Sequence, residues 1–217
     1  MTEPALRLHG YWRSTATYRV RIALNLKGLA YQTVAYDLRA GEHQEAAYRQ
    51  VSPQGLVPAL EVEGEPLGQS LAILEWLEER FPAPPLLPAA PNARAQVRAM
   101  AALVACDIHP LNNLRVMTQL RRQFAADEAQ ISAWIAHWIG EGFTAVETLI
   151  ERHGDGFAFG AEPTLADCCL TPQVFSAERF GVDLTPFPHI RAVAARTRAL
   201  PAFIAAGPDR QPDAPKD

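Results

Sequence analysis

Three arginines and two hydroxyl residues crowd the stretch YWRSTATYRVRIAL, Tyr11 to Leu24. Arg13, Ser14 and Thr15 stand where an apolar helical pattern begins. A helix start gathers unpaired N–H groups and the positive end of the helix dipole, so it suits an anion. Two readings stay open: a Ser or Thr that only caps the helix above a solvated basic face, or an anion site that holds a reactive group. Helical rotation turns Arg19 and Arg21 away from the cap, and both are expected on a solvated face or in surface ion pairs. A second such start is Gln69–Ser70, ahead of the apolar run LAILEWLEERF. A serine N-cap is the plain reading there, a carboxylate-binding helix end the functional one. His109 and Asn113, four residues apart, share a face if one helix runs through both.

The elements that must carry these residues fall into two groups. ALRLHG alternates as a short strand, and a helix is predicted over 15–27, with Lys27 near its negative end and Gly28 as its stop. YQTVAY (31–36) is the next strand, which makes a parallel βαβ unit, and HQEAAYRQ (43–50) reads as a short helix. Strands over 59–62 and 65–67 flank a Glu63–Gly64 turn, and Ser70 opens a helix that Pro82 ends. The order β-α-β-α-β-β-α describes a small mixed sheet with helices packed on it. PAPPLLPAAP (82–91) reads as a semi-rigid linker.

Everything beyond it is helical. A long helix is expected over about 92–124 with a kink at Pro110, and a second runs from about Asp127 to Arg152. A third opens at TLAD, where Thr164 and Asp167 form a capping box with a shortened acid, and a last one starts near Phe187. The polar, proline-rich GPDRQPDAPKD is expected to be disordered. The domains expected are 1–82, a linker 83–91, a helical domain 92–206 and a tail 207–217.

Composition narrows the class. The 217 residues, 48% hydrophobic and 20% charged, describe a globular protein with room for two cores. A net charge of -4 argues against a general nucleic-acid binder. No apolar run reaches the roughly 20 residues of a membrane span, and MTEPALRLHGYWRS lacks the pattern of a secretory signal. Cys106, Cys168 and Cys169 form neither a CxxC pair nor a metal-ligand spacing, so a cytoplasmic protein without structural disulfides or a metal is expected.

Three blocks in this order, SPQGLVPAL (52–60), GQSLAILEWLEERFP (68–82) and PTLADCCLTPQV (163–174), resemble those of a cytosolic glutathione transferase. RSTATYRVRIAL is similar to the zeta-class signature R-S-S-C-x-x-R-V-R-I-A-L of maleylacetoacetate isomerases. CDIHPLNNLRV (106–116) is similar to bacterial members of that class and to the related maleylpyruvate isomerases. The chain departs at Ala16, where the signature has cysteine, and at Thr15, where it has serine. Leu114 stands where an arginine is expected in maleylpyruvate isomerases, which tilts the substrate towards maleylacetoacetate.

The resemblance implies an α/β plus all-α fold: a thioredoxin-like N-terminal domain and a helical C-terminal domain. It implies glutathione as the cofactor and a homodimer as the assembly. An unperturbed thiol has a pKa near ~8.5, and lowering it by ~2 units takes about 2.7 kcal/mol of preference for the thiolate. Ser14 is assigned the hydrogen bond that supplies part of this, with Thr15 as a substitute. A cis Val57–Pro58 bond would turn the Val57 backbone to glutathione's cysteinyl amide, Gln69 and Ser70 would take its γ-glutamyl end, and Gln54 would add to peptide binding. Arg13 and Arg179 would hold the carboxylates of a dicarboxylate-like substrate, with Arg115 as a further candidate. For His109 and Asn113 two readings stay open, a place lining the cleft between domains or reaching glutathione and a buried structural histidine, and Asp167 would serve folding. The implied activity is cis–trans isomerisation of maleylacetoacetate or maleylpyruvate by reversible thiolate addition. The alternatives are a transferase that conjugates electrophilic compounds and a non-catalytic glutathione-binding protein.

Overall fold

A computed structural model of the chain describes residues 5–215. They fall into two compact units, the first running to Leu86 and including the segment from Ala199 on, the second spanning Leu87–Arg198.

In the first unit, β1 (Leu6–Gly10) pairs in parallel with β2 (Gln32–Ala35) and antiparallel with β3 (Ala59–Val62), which pairs antiparallel with β4 (Glu65–Gly68). The sheet order is therefore β2-β1-β3-β4. Strand alternation buries Leu6 and Leu8 on one face, and His9 lies buried on the other beside Tyr36 and Tyr48. The helices are α1 (Thr15–Leu26), α2 (Ala46–Val51) and α3 (Ser70–Arg80). Gly10 ends β1 where a side chain would not fit, since a Cβ there would lie 2.4 Å from Thr17 Cγ2. Gly28 stops α1 with φ 67°.

Lys27 stands at the C-cap of α1, the expected negative end, and its surroundings add what the sequence did not indicate. It is buried, and its Nζ donates to Glu78 Oε2 (2.8 Å), Phe81 O (2.6 Å) and Pro84 O (3.0 Å). Glu78 also accepts the Leu86 N–H at 2.9 Å. The first half of the proline-rich stretch is thus anchored to the first unit rather than spanning free.

The second unit holds α4 (Pro91–Ala102), α5 (Leu114–Phe124), α6 (Glu128–His153), α7 (Leu165–Arg179) and α8 (Pro188–Arg198). The buried α7 packs on α4 and α8, and Cys168 and Cys169 on it are fully covered. The long helix expected over 92–124 is broken. After α4 comes a π-helical turn, Leu103–Ile108, then a 3-10 turn, His109–Asn112. Pro110 has no N–H with which to continue an α-helix, and the His109 N–H reaches five residues back to Val104 O. Gly142 on α6 lets the buried Ile108 approach, for a Cβ there would stand 2.2 Å from Ile108 Cγ1.

The segment after Ala199 differs from the expected helical end and disordered tail. It forms α9 (Pro201–Ala206) and a 3-10 turn, Pro208–Arg210, within the first unit. Asn25 Nδ2 donates to Ala202 O at 3.0 Å, and Gln211 Nε2 donates to Ala205 O and Gly207 O at 3.1 and 2.7 Å. Buried Phe203 and Ala206 hold the start of this segment, and specific carbonyl partners, invisible in composition, fix the polar stretch that follows. Residues 216 and 217 lie outside the described residues. No described helix is long and apolar enough to cross a membrane.

Candidate active site

Ser14 is the N-cap of α1, with φ -66° and ψ 118°, and its Oγ accepts the Thr17 N–H at 3.2 Å. A hydroxyl accepts and donates at once, so the cap and a hydrogen bond to an anion are compatible. Thr15 is buried as the first residue of the helix, and the first turn carries no acidic residue to compete for the dipole. Ala16 occupies the next position without a polar group. Arg13, half-buried, places its guanidinium 5.3 Å from the centre of the Trp12 ring.

The second group surrounds Val57–Pro58, whose peptide bond is cis as the resemblance implies. The preceding carbonyl, Leu56 O, receives two hydroxyl donors at 2.8 Å, Tyr48 Oη and Ser52 Oγ. Tyr48 is 1% exposed, and burial pushes its phenol well above the ordinary range, so it remains a donor. Neither residue carries a signal in sequence, because each acts on a carbonyl several positions away.

The third group stands at the start of α3. Gln69 is its N-cap at φ 64° and ψ 111°, backbone space that side-chain-bearing residues seldom occupy, and gives the helix no side-chain cap. Its Nε2 donates instead to Gln54 Oε1 at 2.6 Å, which joins two of the expected residues. Ser70 is buried, and its Oγ accepts from Arg19 Nη1 at 3.2 Å. Arg19 is therefore no solvated side chain: it is 2% exposed. An uncapped helix start with a buried guanidinium against it is a strong anion-accepting arrangement.

Arg21 corrects the same expectation. It is 1% exposed and donates to Ala206 O (2.9 Å), Trp12 O (2.9 Å) and Tyr11 O (3.5 Å). Burial lowers its pKa to about 10, with Tyr31 and Asp213 acting in the opposite sense, and it stays charged at neutral pH. The reason both arginines escape the sequence pattern is that α1 is buried along most of its length, with α3 and α9 packed against it.

In the second unit, Asn113 does not share a helical face with His109. Its backbone is extended, and its side chain caps α5 by accepting the Arg115 N–H at 3.1 Å. His109 is half-buried and Arg115 exposed. Arg179 ends α7, exposed, with Cζ 3.9 Å from the centre of the Phe180 ring. Asp167 is fully buried and accepts from Ala158 N–H (2.8 Å), Thr164 N–H (2.8 Å) and Thr164 Oγ1 (2.9 Å). It ties the loop before α7 to the helix start, a folding role.

An open cleft of about 330 Å³ lies beside Trp12, walled by Tyr36, Asp37, Glu42 and Asp213 among others. Ser14, Val57 and Gln69 are not on its walls, so donor geometry rather than cavity size marks the candidate site.

The glutathione S-transferase N-terminal domain matches residues 13–80 and the C-terminal domain residues 113–196. The maleylacetoacetate isomerase of Pseudomonas aeruginosa is 54% identical over 214 residues, covering 97% of this chain and 99% of the relative. A holo structure of maleylpyruvate isomerase, a bacterial zeta-class glutathione S-transferase, superimposes with a TM-score of 0.94 at 52% identity, covering 96% of this chain and all of the other. A maleylacetoacetate isomerase of Anaeromyxobacter dehalogenans, solved with glutathione bound in its active site, gives a TM-score of 0.90 at 46% identity over 99% of this chain and 100% of that one. With both domain models and full-length relatives in agreement, the chain belongs to the glutathione S-transferase family, in the zeta class.

Proposed function

We propose that this protein is a glutathione-dependent cis–trans isomerase of maleylacetoacetate or maleylpyruvate. The observation that carries the reading is the uncapped start of α3 with Arg19 buried against Ser70. That start suits the γ-glutamyl carboxylate of glutathione, and Gln54 and Gln69 stand beside it. Bound glutathione supplies a thiolate that adds to the substrate's cis double bond and leaves after the bond has turned. Ser14 holds a hydroxyl at the α1 start, where its hydrogen and the helix dipole favour a negative sulfur. Tyr48 and Ser52 fix Leu56 O, and so the backbone of Val57 that is to meet the tripeptide. On this reading Arg13 and, by the family resemblance, Arg179 would take the substrate's carboxylates, with Arg115 as a further candidate and Thr15, His109 and Asn113 in supporting roles.

The family resemblance supports a homodimer working in the cytoplasm, in aromatic amino acid catabolism. The N-terminal unit is the glutathione-binding domain of this reading.

The test is to mix purified protein with glutathione and freshly made maleylacetoacetate, and in parallel maleylpyruvate, and follow the fumaryl products. Glutathione-dependent conversion of either is expected, and the faster substrate names the pathway. Conversion of neither by a protein that binds glutathione and conjugates halogenated electrophiles would replace this reading with the transferase.

A further inference from the structure

Trp12, two residues before Ser14, has both of its peptide groups held by residues distant in sequence. Its N–H donates to Asp213 Oδ2 at 2.8 Å, and its C=O accepts from Arg21 Nη2 at 2.9 Å. Arg21 also reaches Tyr11 O, and that same carbonyl accepts the Ser14 N–H at 3.0 Å. Asp213 and the buried Arg21 thus grip the short turn Tyr11–Ser14 from two sides. Arg21 Nε is engaged with Ala206 O, so the segment after Ala199 meets the turn twice, through Ala206 by way of Arg21 and through Asp213 directly.

A carboxylate is a strong acceptor for a backbone N–H, and here its charge also favours the charged form of the buried Arg21 guanidinium. The polar stretch that holds Asp213 has little apolar surface to bury, so packing alone does not explain its course over the turn. Its contact with Trp12 does, because the hydroxyl of the next residue but one must be aimed within a few tenths of an ångström.

We propose that Asp213 is a positioning residue: together with Arg21 it clamps Trp12, so that Ser14 presents its hydroxyl to the bound thiol. This rests on the glutathione reading given above.

The test uses the full chain and its Asp213→Ala and Asp213→Asn forms. Amide exchange over the turn Tyr11–Ser14 is measured without ligand, and the ultraviolet thiolate band is titrated with saturating glutathione. Asp213→Ala is expected to speed exchange in the turn and to raise the pKa of the bound thiol by about one unit, which is up to tenfold less thiolate at neutral pH. Asp213→Asn retains an oxygen for the Trp12 N–H and is expected to recover most of both. If Asp213→Ala does not yield folded protein, Asp213→Leu, which also lacks an acceptor, carries the same expectation. Unchanged exchange, or a thiolate band unmoved in Asp213→Ala, would overturn the positioning role alone. Damage in Asp213→Asn equal to that in Asp213→Ala would also overturn it, since charge rather than the clamp would then matter. A wild-type protein without a thiolate band would overturn the glutathione reading, and the role of Asp213 with it.

Discussion

Arg19 Nη1 lies 3.2 Å from Ser70 Oγ, which joins the middle of α1 to the first residue of α3 across 51 positions of sequence. The guanidinium is 2% exposed, so its charge has little water to offset it. The start of α3 beside this buried guanidinium favours a bound carboxylate through both the helix dipole and the nearby positive charge.

Arg19→Met therefore has two expected effects. Loss of a charged donor to a buried hydroxyl should lower stability by about 1–3 kcal/mol. The KM for glutathione should also rise, by roughly tenfold for a loss of ~1.4 kcal/mol of binding, with kcat changed much less. Steady-state kinetics with glutathione varied, beside a urea denaturation curve, separates the two. Lost stability with an unchanged KM would make Arg19 a packing residue only.

Ser14→Ala tests the dual use of one hydroxyl. Because Ser14 caps α1 through the Thr17 N–H, its removal should cost about 0.5–2 kcal/mol of stability. Turnover should fall by roughly 100-fold or more, since the donor to the developing and departing thiolate goes with it. Thr15→Ala serves as the comparison, and a larger loss of turnover there would move the role to Thr15.

Lys27 and Glu78 form a buried ion pair in the first unit. Lys27→Met would leave Glu78, Phe81 O and Pro84 O buried without their shared donor. Breaking one side of a buried pair costs about 3–5 kcal/mol. Pairing it with Glu78→Leu should recover only part of this, because the Leu86 N–H then loses its acceptor as well. Chemical denaturation of both singles and the double gives the coupling directly.

What was legible in the sequence was local. The strand and helix order, the stop at Gly28, the Thr164–Asp167 box and the position of Pro58 each depend on a few neighbouring residues. What escaped depends on partners far along the chain. Arg19 and Arg21 have the spacing of a polar face, and nothing near them announces that Ser70 and Ala206, 51 and 185 positions away, lie over that face. His109 and Asn113 were placed on one face by helical spacing, which fails once Pro110 breaks the α pattern. The stretch 207–215 has the composition of a loose tail, and two backbone-directed side chains, Gln211 and Asp213, give it a defined course. The second cis peptide, Ala83–Pro84, has no distinguishing signal within a stretch so rich in proline.

Gly142→Ala should destabilise the second unit even though alanine favours helix by about 1 kcal/mol over glycine. The added Cβ would meet Ile108 Cγ1 at 2.2 Å and Cδ1 at 2.3 Å, and the buried Ile108 has no open side to turn to. Overpacking of this kind costs about 1–3 kcal/mol, and the π-helical turn ending at Ile108 should move with it. A thermal melt that rises instead of falling would show that this turn can yield without loss.

Asp167 sets two opposed effects against each other, and pH decides between them. Burial raises its pKa from 3.8 to about 6, while the donors on Ala158 and Thr164 pull it down. Burial prevails, so the folded protein holds the proton more tightly than the unfolded chain does. The unfolded carboxyl then ionises first as pH rises, so the unfolded state binds fewer protons between about 4 and 6 and stability falls across that window. The contribution is fully present below the unfolded pKa and lost above about 6, a swing of up to roughly 3 kcal/mol. The Thr164 hydroxyl makes the protonated form tolerable, because it can turn to accept where it otherwise donates. Asp167→Asn removes the titration but keeps the shape, so its own stability offset is constant with pH. The measurement is the unfolding free energy of wild type minus that of Asp167→Asn at several pH values from 4 to 7. A difference that falls with rising pH supports burial as the stronger effect; one that grows would show that the three hydrogen bonds hold the carboxylate ionised.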